Sequence, residues 1–195
     1  MQNYEELETQ NKYYKGIMHD IRFHLNLIKA EGKFNPEYYQ EVIEVINKKE
    51  SIVKCSDPIL NVIINDRIMY CKNSGIKIEV EIEDVDLSFM RKMDITTIFF
   101  NLINNAIEAC KEVNDDDNRY IELKIKKVQS YIVVSIKNSC NGCPLKNYQE
   151  GKSYKSGHMG MGIYNVKRAL KQYDSTLDLQ EGEGYFEAKF AIEEL

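Results

Sequence analysis

Two asparagines four residues apart, Asn101 and Asn105, lie in a segment whose pattern predicts an α-helix over 94–110. One face of that helix is apolar, because apolar residues recur at three- and four-residue steps; they are Ile95, Ile98, Phe99, Leu102, Ala106 and Ala109. The other face carries Asn101, Asn105, Glu108 and Glu112. Asparagine is a poor helix former, so its repetition suggests a compensating role. Amide oxygens about 6 Å apart along the axis could hold a hard cation. A solvated surface face is the alternative from this helix alone.

A second candidate is the glycine-rich stretch 157–162, which leads directly into another predicted helix. That helix has an apolar face made of Ile163, Val166, Leu170 and Tyr173. Glycines before a helix start let backbone N–H groups approach a phosphate, and the helix dipole favours the negative charge. The loop that precedes it, 138–159, contains lysines and is long enough to be either functional or disordered. A glycine-rich turn alone is weak evidence, but here it accompanies a candidate cation-binding face.

A third candidate lies near the N-terminus, where His19 is followed by Asp20. A carboxylate beside an imidazole can fix its tautomer and raise its basicity. Asp20 and His24 also share a helix face, because they are four residues apart. Such pairs are common on ordinary helix surfaces, so the motif by itself leaves both interpretations open.

The first part of the chain predicts a helical hairpin. Two apolar stripes occur before residue 56, and they consist of Tyr14, Ile17, Met18, Ile21, Leu25 and Ile28, then Tyr39, Val42, Ile43, Ile46 and Val53. A hairpin cannot bury both stripes within itself, whereas two copies can do so in a four-helix bundle. We therefore expect a homodimerisation module over 1–56 and a second domain over 57–195.

The second domain is predicted to be an α+β, two-layer α/β sandwich with a mixed sheet covered on one face by helices. Asp57 and Pro58 have the form of a helix cap and first turn, and Gly75 that of a helix stop. Alternating apolar residues predict strands over 76–82, 121–125 and 132–136, with a tight turn at 129–130. A closing hairpin is expected around 181–184.

Composition restricts the classes of function. The net charge of −5 argues against a nucleic-acid binder. No run is long and apolar enough to span a membrane and no secretory signal opens the chain, so we expect this segment to make no membrane contact itself. Five cysteines without such a signal indicate reduced thiols in the cytoplasm. Cys140 and Cys143 form a C-x-x-C pair, but no second pair or histidine lies at zinc-ligand spacing, so a redox or metal role stays open.

Taken together, three motifs resemble the catalytic core of a bacterial sensor histidine kinase. The stretch NLINNAIEA, residues 101–109, looks like the N box of the ATPase superfamily shared by gyrase, MutL and these kinases. The stretch HMGMGI, residues 158–163, looks like its second glycine box. His19 and Asp20 resemble the H box of the Agr-type kinases that receive quorum-sensing peptides. The order of the motifs and of the elements between them makes the resemblance specific.

The resemblance implies a phosphoacceptor and a transfer route. His19 would accept a phosphoryl group from ATP, and Asp20 would orient the imidazole and accept its proton. The phosphoryl group would then pass to an aspartate of a response regulator. The resemblance also implies that the chain is the cytoplasmic portion of a longer membrane receptor.

The same resemblance implies a nucleotide site. Asn105 would hold Mg²⁺ through its amide oxygen, with Asn101 beside the triphosphate. Gly160 and Gly162 would let the chain wrap the phosphates, and Lys155 is a further candidate contact. The nucleotide contacts that the resemblance implies are Asn101, Asn105, Asn138, Lys155, Gly160 and Gly162. Most family members carry D-x-G-x-G for adenine recognition, whereas this chain has Asn138 at the matching strand end.

Two other functions remain open at this point. Gyrase-type ATPases carry Glu at the position of Asn101, where it activates water, and Asn cannot act as a general base. This difference argues against a gyrase- or chaperone-like ATPase without removing it. The missing adenine-binding Asp leaves a dimeric signalling scaffold with a degenerate nucleotide site as the non-enzymatic alternative.

Overall fold

The computed structural model describes residues 52–115, 118–141 and 161–194. The predicted hairpin and its dimeric bundle lie outside the described residues, apart from the last few positions before 57. The same holds for His19 and Asp20, and for Lys155 and Gly160. Residues 51–195 form one compact unit.

The described elements follow one another as helices and strands of a single α/β unit. They are α1 (Pro58–Asn73), β1 (Lys77–Ile82), α2 (Lys92–Lys111), β2 (Tyr120–Val128), β3 (Tyr131–Ser139), α3 (Met161–Leu170), a 3₁₀ turn (Lys171–Tyr173), β4 (Asp178–Gly182) and β5 (Tyr185–Glu193). The strands form one five-stranded sheet in the order β1-β2-β3-β5-β4. β1 and β2 are parallel and the other neighbours are antiparallel, which confirms the predicted mixed sheet.

The first helix begins where its capping residues predict. Asp57 is the N-cap, and its carboxylate accepts hydrogen bonds from the backbone N–H groups of Ile59 and Leu60 at 3.0 and 2.9 Å. Pro58 occupies the first helical position, where its missing N–H costs nothing. Gly75 follows the helix with a φ of +69°, a left-handed conformation that glycine adopts without strain.

Each central strand has one apolar and one polar face, as its alternating sequence requires. The register aligns Leu123 of β2 with Ile136 of β3, and Ile136 with Ala188 of β5. All three side chains are buried, together with their neighbours on the same face; these are Ile121, Ile125, Ile132, Val134, Phe190 and Ile192. Most alternate positions are charged or polar, and the helices contact the buried face, so the unit has two layers.

Helix α2 lies at the centre of the helical layer and contacts α1, α3, β2 and β3. Its apolar face is broader than the sequence pattern predicted, because Ile103, Ile107 and Cys110 are buried as well. Phe99 packs edge-on against Phe190 of the sheet, with ring centroids 6.1 Å apart. The position of α2 on the sheet is thus fixed by large buried side chains.

The described cysteines are free thiols rather than disulfides; they are Cys55, Cys71, Cys110 and Cys140. Burial, followed by the neighbouring Cys110, raises the pKa of Cys71 to about 12. The described residues contain no group of three or more His, Cys, Asp or Glu side chains that could hold a metal ion. Cys143 lies outside the described residues. Within the described ranges, none of the helices combines the length and apolar character needed to span a bilayer.

Adjacent phenylalanines of α2 provide a matched test of this core. Phe99 is 1% exposed and Phe100 is 41% exposed. We expect Phe99→Ala to lower the free energy of unfolding by about 3–5 kcal/mol, since it leaves a cavity against the sheet. Phe100→Ala should cost about 1 kcal/mol or less, because it removes only a surface ring contact. Urea unfolding measures both, and equal losses would contradict the placement of α2.

Candidate functional site

The candidate site lies where the start of α3 meets the asparagine face of α2. A Cβ atom placed on Gly162 would lie 3.2 Å from Oδ1 of Asn101 and 3.6 Å from Oδ1 of Asn105. The first of these distances is tighter than ordinary carbon–oxygen contact, so a side chain at 162 would crowd the amide. The structure therefore brings together three of the sequence-predicted residues, Asn101, Asn105 and Gly162.

Asn101 has a defined orientation within α2. Its Nδ2 donates a hydrogen bond to the backbone carbonyl of Thr97, one turn earlier, at 2.6 Å. The amide nitrogen is thereby directed along the helix, and the amide oxygen lies on the side of Gly162. Asn101 and Asn105 are both half-buried.

The remaining asparagine of the helix, Asn104, makes a contact that the sequence did not reveal. Its Oδ1 accepts a hydrogen bond from Nη1 of Arg67 on α1 at 2.8 Å. The guanidinium of Arg67 also lies over the rings of Tyr70 and Phe100, 5.5 and 5.0 Å from their centroids. Asn104 therefore joins α2 to α1, while Asn101 and Asn105 face α3.

A polar cluster around the buried carboxylate of Asp94 joins the first turn of α2 to the turn that follows α3. Tyr173, just after α3, donates its hydroxyl to Oδ2 of Asp94 at 2.7 Å. Arg91 donates to the same carboxylate from Nε and Nη2, at 2.7 and 3.1 Å. The backbone N–H of Arg91 in turn donates to the Tyr173 hydroxyl at 2.9 Å. No sequence pattern pointed to this cluster, because Asp94 and Tyr173 are 79 residues apart.

The cluster favours an ionised carboxylate. Burial alone would raise the pKa of Asp94, but the hydrogen bonds from Arg91 and Tyr173 and the guanidinium charge hold that pKa below its usual range. Burial and the adjacent carboxylate raise the pKa of Tyr173, so its hydroxyl stays protonated and continues to donate.

Asn138 lies on the helix-facing side of β3, near the end of the strand. It is 1% exposed, and its Nδ2 donates to the carbonyl of Ser139 at 2.8 Å. Ser139 lies beside Cys110, since its hydroxyl oxygen is 3.4 Å from that thiol. Cys110 follows Asn105 by about 7.5 Å along the helix axis. Asn138 thus occupies the adjoining end of the helix–sheet interface, and its amide nitrogen donates to the strand rather than to the amide pair.

The donor set at this site suits a hard cation together with an anion. Carboxamide oxygens are ligands of the type that Mg²⁺ accepts. The first N–H groups of a helix lack partners within it, and α3 has no acidic residue in its first turn. A magnesium-bound phosphate ester would fit this site, because amide oxygens and the positive end of a helix meet here at a residue without a side chain.

Comparisons with known proteins agree with this geometry. Residues 90–193 match the family described as GHKL domain. Sensor protein CitS of Halalkalibacterium halodurans is 23% identical over 167 residues, a match that covers 82% of this chain and 29% of that protein. The chain therefore spans less than a third of the length of this curated relative.

Solved structures share the fold. The catalytic domain of histidine kinase ThkA, in a nucleotide-free form, aligns with a TM-score of 0.57 and 18% identity, covering 70% of this chain and 92% of that one. Histidine kinase AdeS of Acinetobacter baumannii aligns with a TM-score of 0.52 and 10% identity, and the alignment covers 90% of this chain and 97% of that one. The mycobacterial sensor histidine kinase MprB aligns with a TM-score of 0.52 and 13% identity, and the alignment covers 67% of this chain and 91% of that one.

Gly162→Ala tests the contact at the centre of the site. We expect the side-chain amide NMR signals of Asn101 and Asn105 to shift, because the added methyl group crowds their oxygens. The signal of Asn104, which faces α1, serves as the internal control and should stay in place. The free energy of unfolding should change by less than about 1 kcal/mol, since alanine also favours the helix. A shift confined to Asn104, or no shift at all, would contradict the geometry.

Proposed function

The chain belongs to the GHKL domain family, and from this premise we propose that it is the ATP-binding core of a protein histidine kinase. In this proposal it transfers the γ-phosphoryl group of ATP to His19 and then to an aspartate of a response regulator. The proposal is supported above all by one observation, the close approach of Gly162 to the amide oxygens of Asn101 and Asn105.

GHKL domains bind ATP, typically with Mg²⁺, and the amide pair suits that ligand. We assign Asn105 as the residue that holds Mg²⁺ and Asn101 as a neighbour of the triphosphate. The bound ion would neutralise charge on the phosphoryl group, and catalysis would then depend mainly on positioning. Gly162 contributes by carrying no side chain, so that the N-terminal end of α3 can approach the phosphates. Lys155 and Gly160 complete the proposed phosphate contacts.

Asn138 is proposed to recognise adenine in place of the Asp that most family members carry. Its position on the helix-facing side of the sheet suits a base inserted between the two layers. The carboxamide can both donate and accept, and its donor is engaged by Ser139. An acceptor directed at the amino group of adenine is therefore compatible with the observed hydrogen bond.

The residue type at position 101 favours phosphoryl transfer over ATP hydrolysis. An amide cannot remove a proton from water, and the Asn101 nitrogen is engaged by Thr97. A site without a general base at this position would hydrolyse ATP slowly and conserve the γ-phosphoryl group for another acceptor. We propose that His19 is this acceptor and that Asp20 orients it and accepts its proton.

The proposed arrangement has two modules and two copies. Residues 1–56 would form a hairpin that pairs with a second copy in a four-helix bundle, and residues 57–195 would bind the nucleotide. The name of CitS, a sensor protein, supports a role in signalling. We propose that this role is two-component signalling and that the chain is the cytoplasmic portion of a membrane receptor. The likeness of the His19–Asp20 pair to Agr-type kinases supports a quorum-peptide receptor in particular.

Phosphorylation with γ-labelled ATP and Mg²⁺ tests this function. Wild type should acquire a label that is stable in base and labile in acid, and His19→Ala should acquire none. Asn105→Ala should label at least about 10-fold more slowly, since even outer-shell changes around a metal cost that much.

Asn104→Ala is the matched control, because it removes the same amide from the same helix but on the face toward Arg67. It should label within about 3-fold of wild type, as surface changes away from a site usually do. A label that survives His19→Ala would reject the assigned acceptor. Rapid phosphate release without phosphoprotein would favour a gyrase- or chaperone-like ATPase, and failure to bind Mg-ATP would favour a signalling scaffold.

A further inference from the structure

We infer that Asp94 and Tyr173 are positioning residues that set the location of α3 along α2, and through it the contact between Gly162 and the asparagine pair. Neither side chain belongs to the proposed nucleotide contacts. This inference rests on the proposed function, because it assigns to these residues an effect on the affinity for Mg-ATP.

Two contacts between α2 and the α3 segment lie at the two ends of that segment. Gly162, at the start of α3, meets Asn101 and Asn105 in the middle of α2. Tyr173, after the end of α3, meets Asp94 in the first turn of α2. The helices are therefore antiparallel, and a displacement of one end of α3 along α2 moves the other end as well.

The contact at Asp94 is directional and enclosed. The Asp94 side chain is 8% exposed, so water has little access to replace a lost donor. Hydrogen bonds to a charged acceptor are among the stronger ones in proteins. The ring of Tyr173 packs edge-on against Phe89, with centroids 6.3 Å apart and the ring planes 77° apart. This packing fixes the direction in which the hydroxyl points.

Apolar side chains make further contacts between α3 and the core, and contacts of this kind are less directional. Val166, Ala169 and Leu170 are buried in the common core. Apolar burial depends on area rather than on direction, so it holds α3 on α2 without specifying its axial position as sharply. At Gly162 there is little room for α3 to move toward α2, because the Asn101 oxygen is only 3.2 Å from where a Cβ atom on residue 162 would lie. The hydroxyl–carboxylate bond is thus better suited than these apolar contacts to set the axial position.

Tyr173→Phe removes the hydroxyl and keeps the ring on Phe89, which makes it the direct test. We expect the Kd for Mg-ATP, measured by calorimetry, to rise about 3- to 20-fold, the range that loss of part of a charged hydrogen bond produces. Amide hydrogen exchange over 161–170, measured without nucleotide, should also become faster. Tyr131→Phe is the control, because it removes a hydroxyl from an exposed tyrosine on the sheet and should change neither measurement.

A double-mutant cycle separates positioning from a general loss of stability. Asp94→Asn weakens the same contact from its other side, so the double variant with Tyr173→Phe should raise the Kd by less than the product of the two single effects. If the two substitutions instead destabilised the fold independently, their separate effects on Kd would multiply, or the Kd would not change at temperatures well below the unfolding temperature. If Tyr173→Phe does not fold, Asp94→Asn alone is compared with Tyr131→Phe.

The outcomes distinguish the two proposals. If wild type binds Mg-ATP and Tyr173→Phe binds equally well, the positioning role is overturned and the proposed function stands. If wild type does not bind Mg-ATP, the proposed function falls and this inference falls with it. Weaker binding by Tyr173→Phe with unchanged exchange across α3 would also overturn the inference, because α3 would not have been loosened.

Discussion

The contact of α3 with the asparagine face of α2 is the constraint from which the rest of the site follows. It requires a residue without a side chain at position 162, since a Cβ atom there would crowd the oxygen of Asn101 at 3.2 Å. It also requires that the two amides face the start of a helix, where backbone N–H groups lack partners. The first condition is met by glycine and the second by the antiparallel packing of α3.

The remainder of the fold holds α2 in the position that this contact requires. Buried side chains such as Phe99 attach the helix to the sheet, and Arg67 attaches it to α1 through Asn104. These attachments use other faces of α2, so the face with Asn101 and Asn105 stays directed at α3. The cost of the three asparagines in the middle of α2, which are poor helix formers, is consequently offset by packing.

Local patterns in the sequence predicted most of the described fold. The cap at Asp57, the strand alternation and the turn at Gln129, whose φ is +56°, depend on neighbours in sequence and appear as expected. The asparagine face and Gly162 were identified for the same reason. By contrast, the link from Asn104 to Arg67 and the bond from Tyr173 to Asp94 depend on which helices become neighbours in space. A pattern with a short period carries no information about such pairs. The roles of His19 and Asp20 stay predictions, because these two residues lie outside the described part of the chain.

A crystal structure with Mn²⁺ in place of Mg²⁺ and a non-hydrolysable ATP analogue tests the central claim most directly. Manganese is located by its anomalous scattering, so the position of the ion does not depend on the interpretation of the nucleotide density. The account predicts one ion about 2.1 Å from Oδ1 of Asn105, with Asn101 and the N-terminal end of α3 beside the triphosphate. An ion bound elsewhere, with the amides of Asn101 and Asn105 directed away from the nucleotide, would contradict it.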